Sequence, residues 1–321
     1  MLSGCDSRVA QGWWQEWPPA AGAFVMATGI VSIGLHLTGY EVLSWIWLTI
    51  AALVWTLLAI DFVTRFVRDR PRWASEADTP PALTAVAATT VLGTRISLLG
   101  WQAVAALLLV VAAVEWPVLL TTVLRHWHRR MPGAVFLVCV STQGVAVLSA
   151  TLATALGLGW LLYVALVFFT VGLCLYLAAF AYFDVGQVWT GAGDHWVATG
   201  ALAISALAGA KLVAAHQWTG VTQDVLRVTT LIVLGLNLFG YTVLLLAEAV
   251  RPRRQYDIRR WATVFPLGMT SVAAFSTGAA IDAAGLRLLG RLLLVIAVGA
   301  WLLTLVALIT DRTTFAPNRA R

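Results

Sequence analysis

Few side chains in this sequence could do chemistry, and those that could are cations and amides set inside apolar runs. Arg95 and Lys211 stand within hydrophobic segments, and Arg287 lies close to the end of another. A cation in hydrocarbon is costly, so it faces a cavity, finds a partner or snorkels to the interface. Three such cations at the same end of their segments could also form a vestibule that attracts anions. Gln143, beside Gly144, can donate hydrogen bonds either to a passing anion or to a neighbouring helix. Acid is scarcer still: none of the fifteen Asp and Glu residues falls mid-segment in the odd-numbered apolar stretches delimited below. Coupled transporters commonly keep an ionisable carboxylate along the path, where it would hinder an anion, so its absence favours passive anion movement. Glu115 sits within the fourth stretch, and Asp61 and Glu248 near the ends of the second and eighth; they read as partners for buried polar groups or interfacial arginines. His126 and His128 have no third ligand nearby and read as part of a basic loop. Cys5, Cys139 and Cys174 make no disulfide or metal framework. No catalytic residue, metal or cofactor is expected.

The elements that must position these groups are set by composition. Sixty per cent of the 321 residues are hydrophobic and 11% charged, too little polar surface for a water-soluble domain. The apolar stretches fall at 19–38, 41–66, 82–99, 102–124, 133–156, 158–182, 195–215, 224–249, 260–282 and 286–311. Each matches the thickness of a bilayer core, so the expected fold is all-α and integral to the membrane, with ten transmembrane helices in a single domain over 1–321. Residues 1–18 and 312–321 are tails. In the first tail Trp13, Trp14 and Trp17, with Pro18 and Pro19, read as an interfacial anchor rather than a cleaved signal, and the lipoprotein-like run ending at Cys5 lacks an apolar region before it. The net charge of +6 reflects topology rather than nucleic-acid binding. Arg65, Arg68, Arg70 and Arg72, then Arg125, Arg129 and Arg130, then Arg251, Arg253, Arg254, Arg259 and Arg260 all fall on one side if loops alternate, joined by Arg8, Arg312, Arg319 and Arg321. That side is expected to be cytoplasmic, with both termini there and the chain in the cell membrane; the loop 183–194, lacking Lys and Arg, contributes nothing to this assignment.

The ten segments alternate in character. Odd segments carry small and hydroxyl residues, such as Thr28 and Gly29 in the first and Thr90 and Gly93 in the third. Thr142, Gln143 and Gly144 occupy the fifth, Gly200 and Ser205 the seventh, and Gly268 and Thr270 the ninth. Even segments are dominated by leucine, valine and aromatics. Small residues let helices approach and hydroxyls seek partners or water, so the odd helices are expected inside, with the residues just named lining a central path, and the even helices against lipid. Odd segments recur at the spacing of a repeated helical hairpin, and five hairpins can close into a ring; the alternative is that small-residue helices pack tightly in a solid bundle, which needs no strict alternation.

The run Met26-Ala27-Thr28-Gly29-Ile30-Val31-Ser32-Ile33, the run from Trp196 through Gly200 to Ile204, and above all Trp261-Ala262-Thr263-Val264-Phe265-Pro266-Leu267-Gly268-Met269 resemble the tellurite-resistance/dicarboxylate transporter family. That family includes TehA-like proteins, malate permeases, sulfite pumps and plant slow anion channels. The resemblance implies five hairpins in a pseudo-fivefold array, a homotrimer, and transport of small anions or of C4-dicarboxylates such as malate. It also implies an aromatic gate: Phe265 would occlude the pore, with Pro266 as the helix kink beside it and Phe275 as the runner-up for the same role. Relatives carry mid-helix prolines in several inner helices, whereas the other odd segments here offer only glycines. The function expected is an anion channel or facilitative carrier. The alternatives are a proton-coupled efflux pump for sulfite- or tellurite-type oxyanions and an intramembrane enzyme, for which no acidic metal-binding cluster is seen.

Overall fold

The computed structural model describes residues 19–253 and 256–314. Trp13, Trp14, Trp17, Pro18, Cys5, Arg8, Arg254, Arg319 and Arg321 lie outside the described residues, as does most of each tail. Every named element among the described residues is helical. Ten helices have fifteen residues or more: α1 (Gly22–Leu37), α2 (Glu41–Arg68), α3 (Thr84–Leu98), α4 (Gln102–Arg125), α5 (Leu137–Leu156), α6 (Gly159–Tyr182), α7 (Val197–Val213), α8 (Val221–Val250), α9 (Trp261–Ala280) and α10 (Ala284–Thr314). Their ends fall within a few residues of the expected segments. A helix over Arg70–Ala77 and a single turn over Gln187–Thr190 occupy what the sequence reads as plain connections.

Seven of these helices are long and apolar enough to cross a membrane: α2, α4, α6, α8 and α10, and α5 and α7 counted with the short turn before each. This makes the chain a multi-pass membrane protein. α1 is apolar but only 16 residues long, α3 has 15, and α9 runs unbroken over 20 residues with Pro266 inside it.

Odd and even helices differ in what surrounds them. The spans containing α5 and α7 are 100% and 89% buried within the protein, while the five even spans are between 17% and 39% buried. α1 packs on α3, α3 on α5, α5 on α7, α7 on α9, and α9 back on α1, which closes a ring. Each even helix packs along the odd helix before it and leans on the odd helix after it, α10 leaning on α1. Bulky side chains on the even helices are left facing outward, as Leu57, Leu107, Val167, Phe239 and Leu303 are. Outward leucine and aromatic surface is what hydrocarbon solvates; small residues inside let backbones approach.

The turn after every odd helix contains one residue in the left-handed region: Gly39, Gly100, Gly157, Gly220 and, in the last, Asp282. A reversal of direction this short needs a positive φ, which glycine supplies without a Cβ clash and aspartate tolerates better than most.

The other connections are longer and polar. Asp69 accepts the Arg72 N–H at 3.3 Å and starts the 70–77 helix. Arg65 bridges Asp61 at 2.7 Å and Glu76 at 2.6 Å, tying that helix to the end of α2. Glu248 pairs with Arg253 after α8. The Asp257 side chain takes hydrogen bonds from Arg259, which hold its carboxyl below the usual carboxylate range, and its carboxylate caps the turn leading into α9. Asp61 and Glu248 thus have the arginine partners expected of them, but Glu115 has no hydrogen-bond or ionic partner among the described residues.

Candidate functional site

The axis of the ring is marked by a small void of about 10 Å3 to which all five odd helices contribute. Ile30 and Ile33 of α1 face it, with Thr90, Val91 and Thr94 of α3. Gly144 and Val147 of α5, Ile204 and Leu207 of α7, and Met269 of α9 complete it. A space of this size holds at most about one water. At this level the axis is therefore nearly filled, and mostly by aliphatic side chains.

Helical geometry places Phe265 relative to that void. At about 100° per residue, Phe265 is about 40° from Met269 around α9 and one turn earlier, so it continues the axial face. Gly200 is likewise one turn before Ile204 on α7. The two meet: a Cβ on Gly200 would lie 2.8 Å from Pro266 Cγ and 3.2 Å from Phe265 Cε1. The ring and the proline occupy the room of the missing side chain, and Phe265 is left 1% exposed. Pro266 has no N–H to give to the Ala262 carbonyl, so α9 lacks a backbone bond one turn below the ring. Phe275 is displaced about 120° from Met269 and lies on another face. Its Cβ stands against Gly290 of α10, where Ser271 Oγ also donates to the Gly290 carbonyl at 2.7 Å.

Of the residues expected to line a path, Thr90 and Gly144 reach the axis and touch each other. The others do not meet there. Trp301 Nε1 of α10 donates to Thr28 Oγ1 at 3.1 Å, Trp116 Nε1 of α4 to Thr142 Oγ1 at 2.8 Å, and Asn237 Nδ2 of α8 to Thr270 Oγ1 at 3.1 Å. Trp55 Nε1 of α2 donates to Thr89 Oγ1 at 2.9 Å in the same way. Each bond joins an even helix to the odd helix that follows it around the ring. Gln143 turns outward as well, its amide donating to the Phe169 carbonyl of α6 at 3.0 Å against Gly172. Gly29 faces Val91, Gly93 faces Leu148 and Gly268 faces Ile30, all at contacts between odd helices. Ser205 bonds the Ala201 carbonyl beside Cys139. The tryptophan and asparagine donors escaped the sequence reading, although an indole mid-way along a lipid-facing helix, away from the interfacial belt, is a recognisable signal.

The three cations are not equivalent. Arg95 is fully buried; its Nε donates to Ser44 Oγ at 3.0 Å and its Nη2 lies 3.4 Å from Glu41 Oε2, while Glu41 also meets His36. Arg287 pairs with exposed Asp282 at 3.2 Å. Lys211, half-buried, has no ionic or hydrogen-bond partner among the described residues, and it lies four residues beyond Leu207 on the face that lines the void. His126 lies 3.7 Å from Asp78, and no group of three metal-ligating side chains occurs among the described residues.

Among the described residues, a ring of buried small-residue helices jacketed by apolar ones, with no carboxylate lining the axial void, defines a multi-pass membrane protein built around a central axis. Residues 16–309 match the SLAC1 family, described as voltage-dependent anion channel, and the chain belongs to that family. The family transports anions across membranes and consists of channels or transporters rather than enzymes. No curated protein matches the chain.

Proposed function

We propose that the protein is an anion channel or facilitative carrier whose described conformation is closed. All ten long helices cross the cell membrane as five hairpins in pseudo-fivefold array, the odd helices surround the path, and both termini are cytoplasmic. Phe265 is the gate, lying across the axis in the notch left by Gly200, with Pro266 supplying the weak point about which α9 bends. The observation that carries this reading is the meeting of the Phe265 ring with Gly200 one turn below a void shared by all five odd helices. An apolar ring and aliphatic walls keep such a constriction dry, so current or flux requires the ring to move.

The permeating species are small inorganic anions or C4-dicarboxylates such as malate. Of the expected vestibule, Lys211 is the member that draws them in, because Arg95 and Arg287 are engaged by carboxylates. A homotrimer follows from the family resemblance. The test is flux into liposomes with chloride, nitrate, sulfite and malate, for the wild type and for Phe265→Ala. Faster anion entry in the variant, insensitive to an imposed pH gradient, supports the channel or uniporter. Flux that needs the gradient transfers the reading to a proton-coupled oxyanion pump, and unchanged flux in the variant removes Phe265 from the path.

A further inference from the structure

A second cavity, of about 320 Å3, lies off the axis between α2, α3 and α4, with the 70–77 helix along one end. Its existence has a sequence cause. Ala82, Ala85 and Ala88, three residues apart, and Ala59 on α2 give walls without bulk, while Trp55, Phe62 and Trp73 supply broad aromatic faces. Val63, 58% exposed, lies at the margin. The volume is that of a small-molecule site, and the lining is largely apolar.

The charge within it is unbalanced. Among the described residues, Asp61, Glu76 and Glu115 line the cavity together with a single guanidinium, that of Arg65. Arg65 is already engaged by Asp61 and Glu76, and Glu76 also pairs with Arg72 at 3.0 Å. Glu115, only partly exposed, is left facing the cavity from the middle of α4 without a partner among the described residues, a costly arrangement for a carboxyl group at membrane depth unless something arrives to meet it. An anion would face three carboxyl groups, and a plain hydrocarbon chain would leave Glu115 as it is. A cation attached to an apolar body satisfies both features, because its charge meets Glu115 and its bulk covers the aromatic faces, which themselves attract cations.

We propose that this flank cavity is a binding site for hydrophobic amines, with the ammonium group paired to Glu115 and the apolar part held against Trp55, Phe62 and Trp73. The site is separate from the axial path, so its occupancy does not depend on how anions permeate.

The test uses the full-length protein in lipid nanodiscs and a decyl tertiary amine bearing a diazirine, alongside the alcohol and sulfonate of the same chain. Photolabelled positions are read by peptide mass spectrometry. The amine is expected to label residues 55–65 and 111–115 about tenfold more than the alcohol, and Glu115→Gln to remove that preference. Ala59→Phe, which fills the cavity and keeps the carboxyl group, is expected to abolish labelling there; it decides the matter even if Glu115→Gln does not fold. Equal labelling by amine and alcohol, labelling that survives Ala59→Phe, or no label at these positions overturns the proposal.

Discussion

Thr28, Thr89, Thr142 and Thr270 sit on the odd helices yet bond outward to Trp301, Trp55, Trp116 and Asn237, whereas the side chains that meet at the axis are chiefly Ile30, Val147, Ile204, Leu207 and Met269. Two faces of the same helices thus divide the work in the opposite sense from a hydrophilic pore. Polar groups are used where helices must be held together in lipid, where a hydroxyl and an indole have few other partners. The axis is left apolar, and a narrow apolar passage resists water and ions until its walls part. On the proposed reading, such a ring of helices is closed without a plug domain, by the Phe265 ring in the space of the Cβ that Gly200 lacks.

The sharpest way to break this comparison is to remove the ring. Phe265→Ala should raise anion flux in liposomes by about tenfold or more, since tenfold needs only about 1.4 kcal/mol off the barrier. Phe275→Ala, altered at the α9–α10 contact, should leave flux within about twofold. Next in size is the axial cation. Lys211→Glu should lower anion flux by up to about tenfold at low ionic strength, the deficit shrinking as salt rises. Arg95→Gln should leave that salt dependence in place, because Arg95 is spent on Ser44 and Glu41. If Arg95 and Lys211 behaved alike, the distinction between an axial and a structural cation would fail.

Gly200 gives a smaller and differently shaped effect. A Cβ there must share space with Pro266 Cγ at 2.8 Å, so Gly200→Ala overpacks the notch. The expected cost is about 1–3 kcal/mol of stability, read as a lower melting temperature in detergent. Combining it with Phe265→Ala should recover part of the loss, because the double variant removes the contacts with the Phe265 ring and leaves the one with Pro266.

Much of this architecture is legible in the amino-acid sequence, and the part that is not has a physical reason. Span lengths and the contrast between Leu161-Leu162-Tyr163 and Thr199-Gly200-Ala201 follow from what lipid and close packing each require. Phe265-Pro266 stands out because proline is rare inside a helix and costly unless neighbours compensate. Which way Thr28 or Thr142 points is not legible, because a helix that is apolar all round has no polar stripe to orient it. The carboxyl of Glu115 misleads for a related reason: an acid in an apolar segment normally announces a partner, and here the space beside it comes from alanines on two other helices. The Arg70–Ala77 helix is short and charged, and its anchoring depends on Arg65 reaching it from α2, a contact between residues eleven apart that periodicity does not report.

The smallest effect is also the most direct test of the two-face comparison. Trp116 donates to Thr142 at 2.8 Å, and Thr142 in turn donates to the Val138 carbonyl of its own helix at 2.7 Å, so its hydroxyl is engaged by the jacket and by α5. Trp116→Phe and Thr142→Val should each cost about 0.5–1.5 kcal/mol in melting experiments, and the double variant should cost less than their sum. Neither should change anion flux. Thr90→Val, the same substitution on the axial face of α3, should leave stability nearly unaltered and change flux, since its hydroxyl borders the void and, among the described residues, otherwise bonds only the Ala87 carbonyl one turn back. Should Thr142→Val alter flux while Thr90→Val does not, the odd helices must be rotated relative to the axis, and the assignment of Phe265 to the passage would go with them.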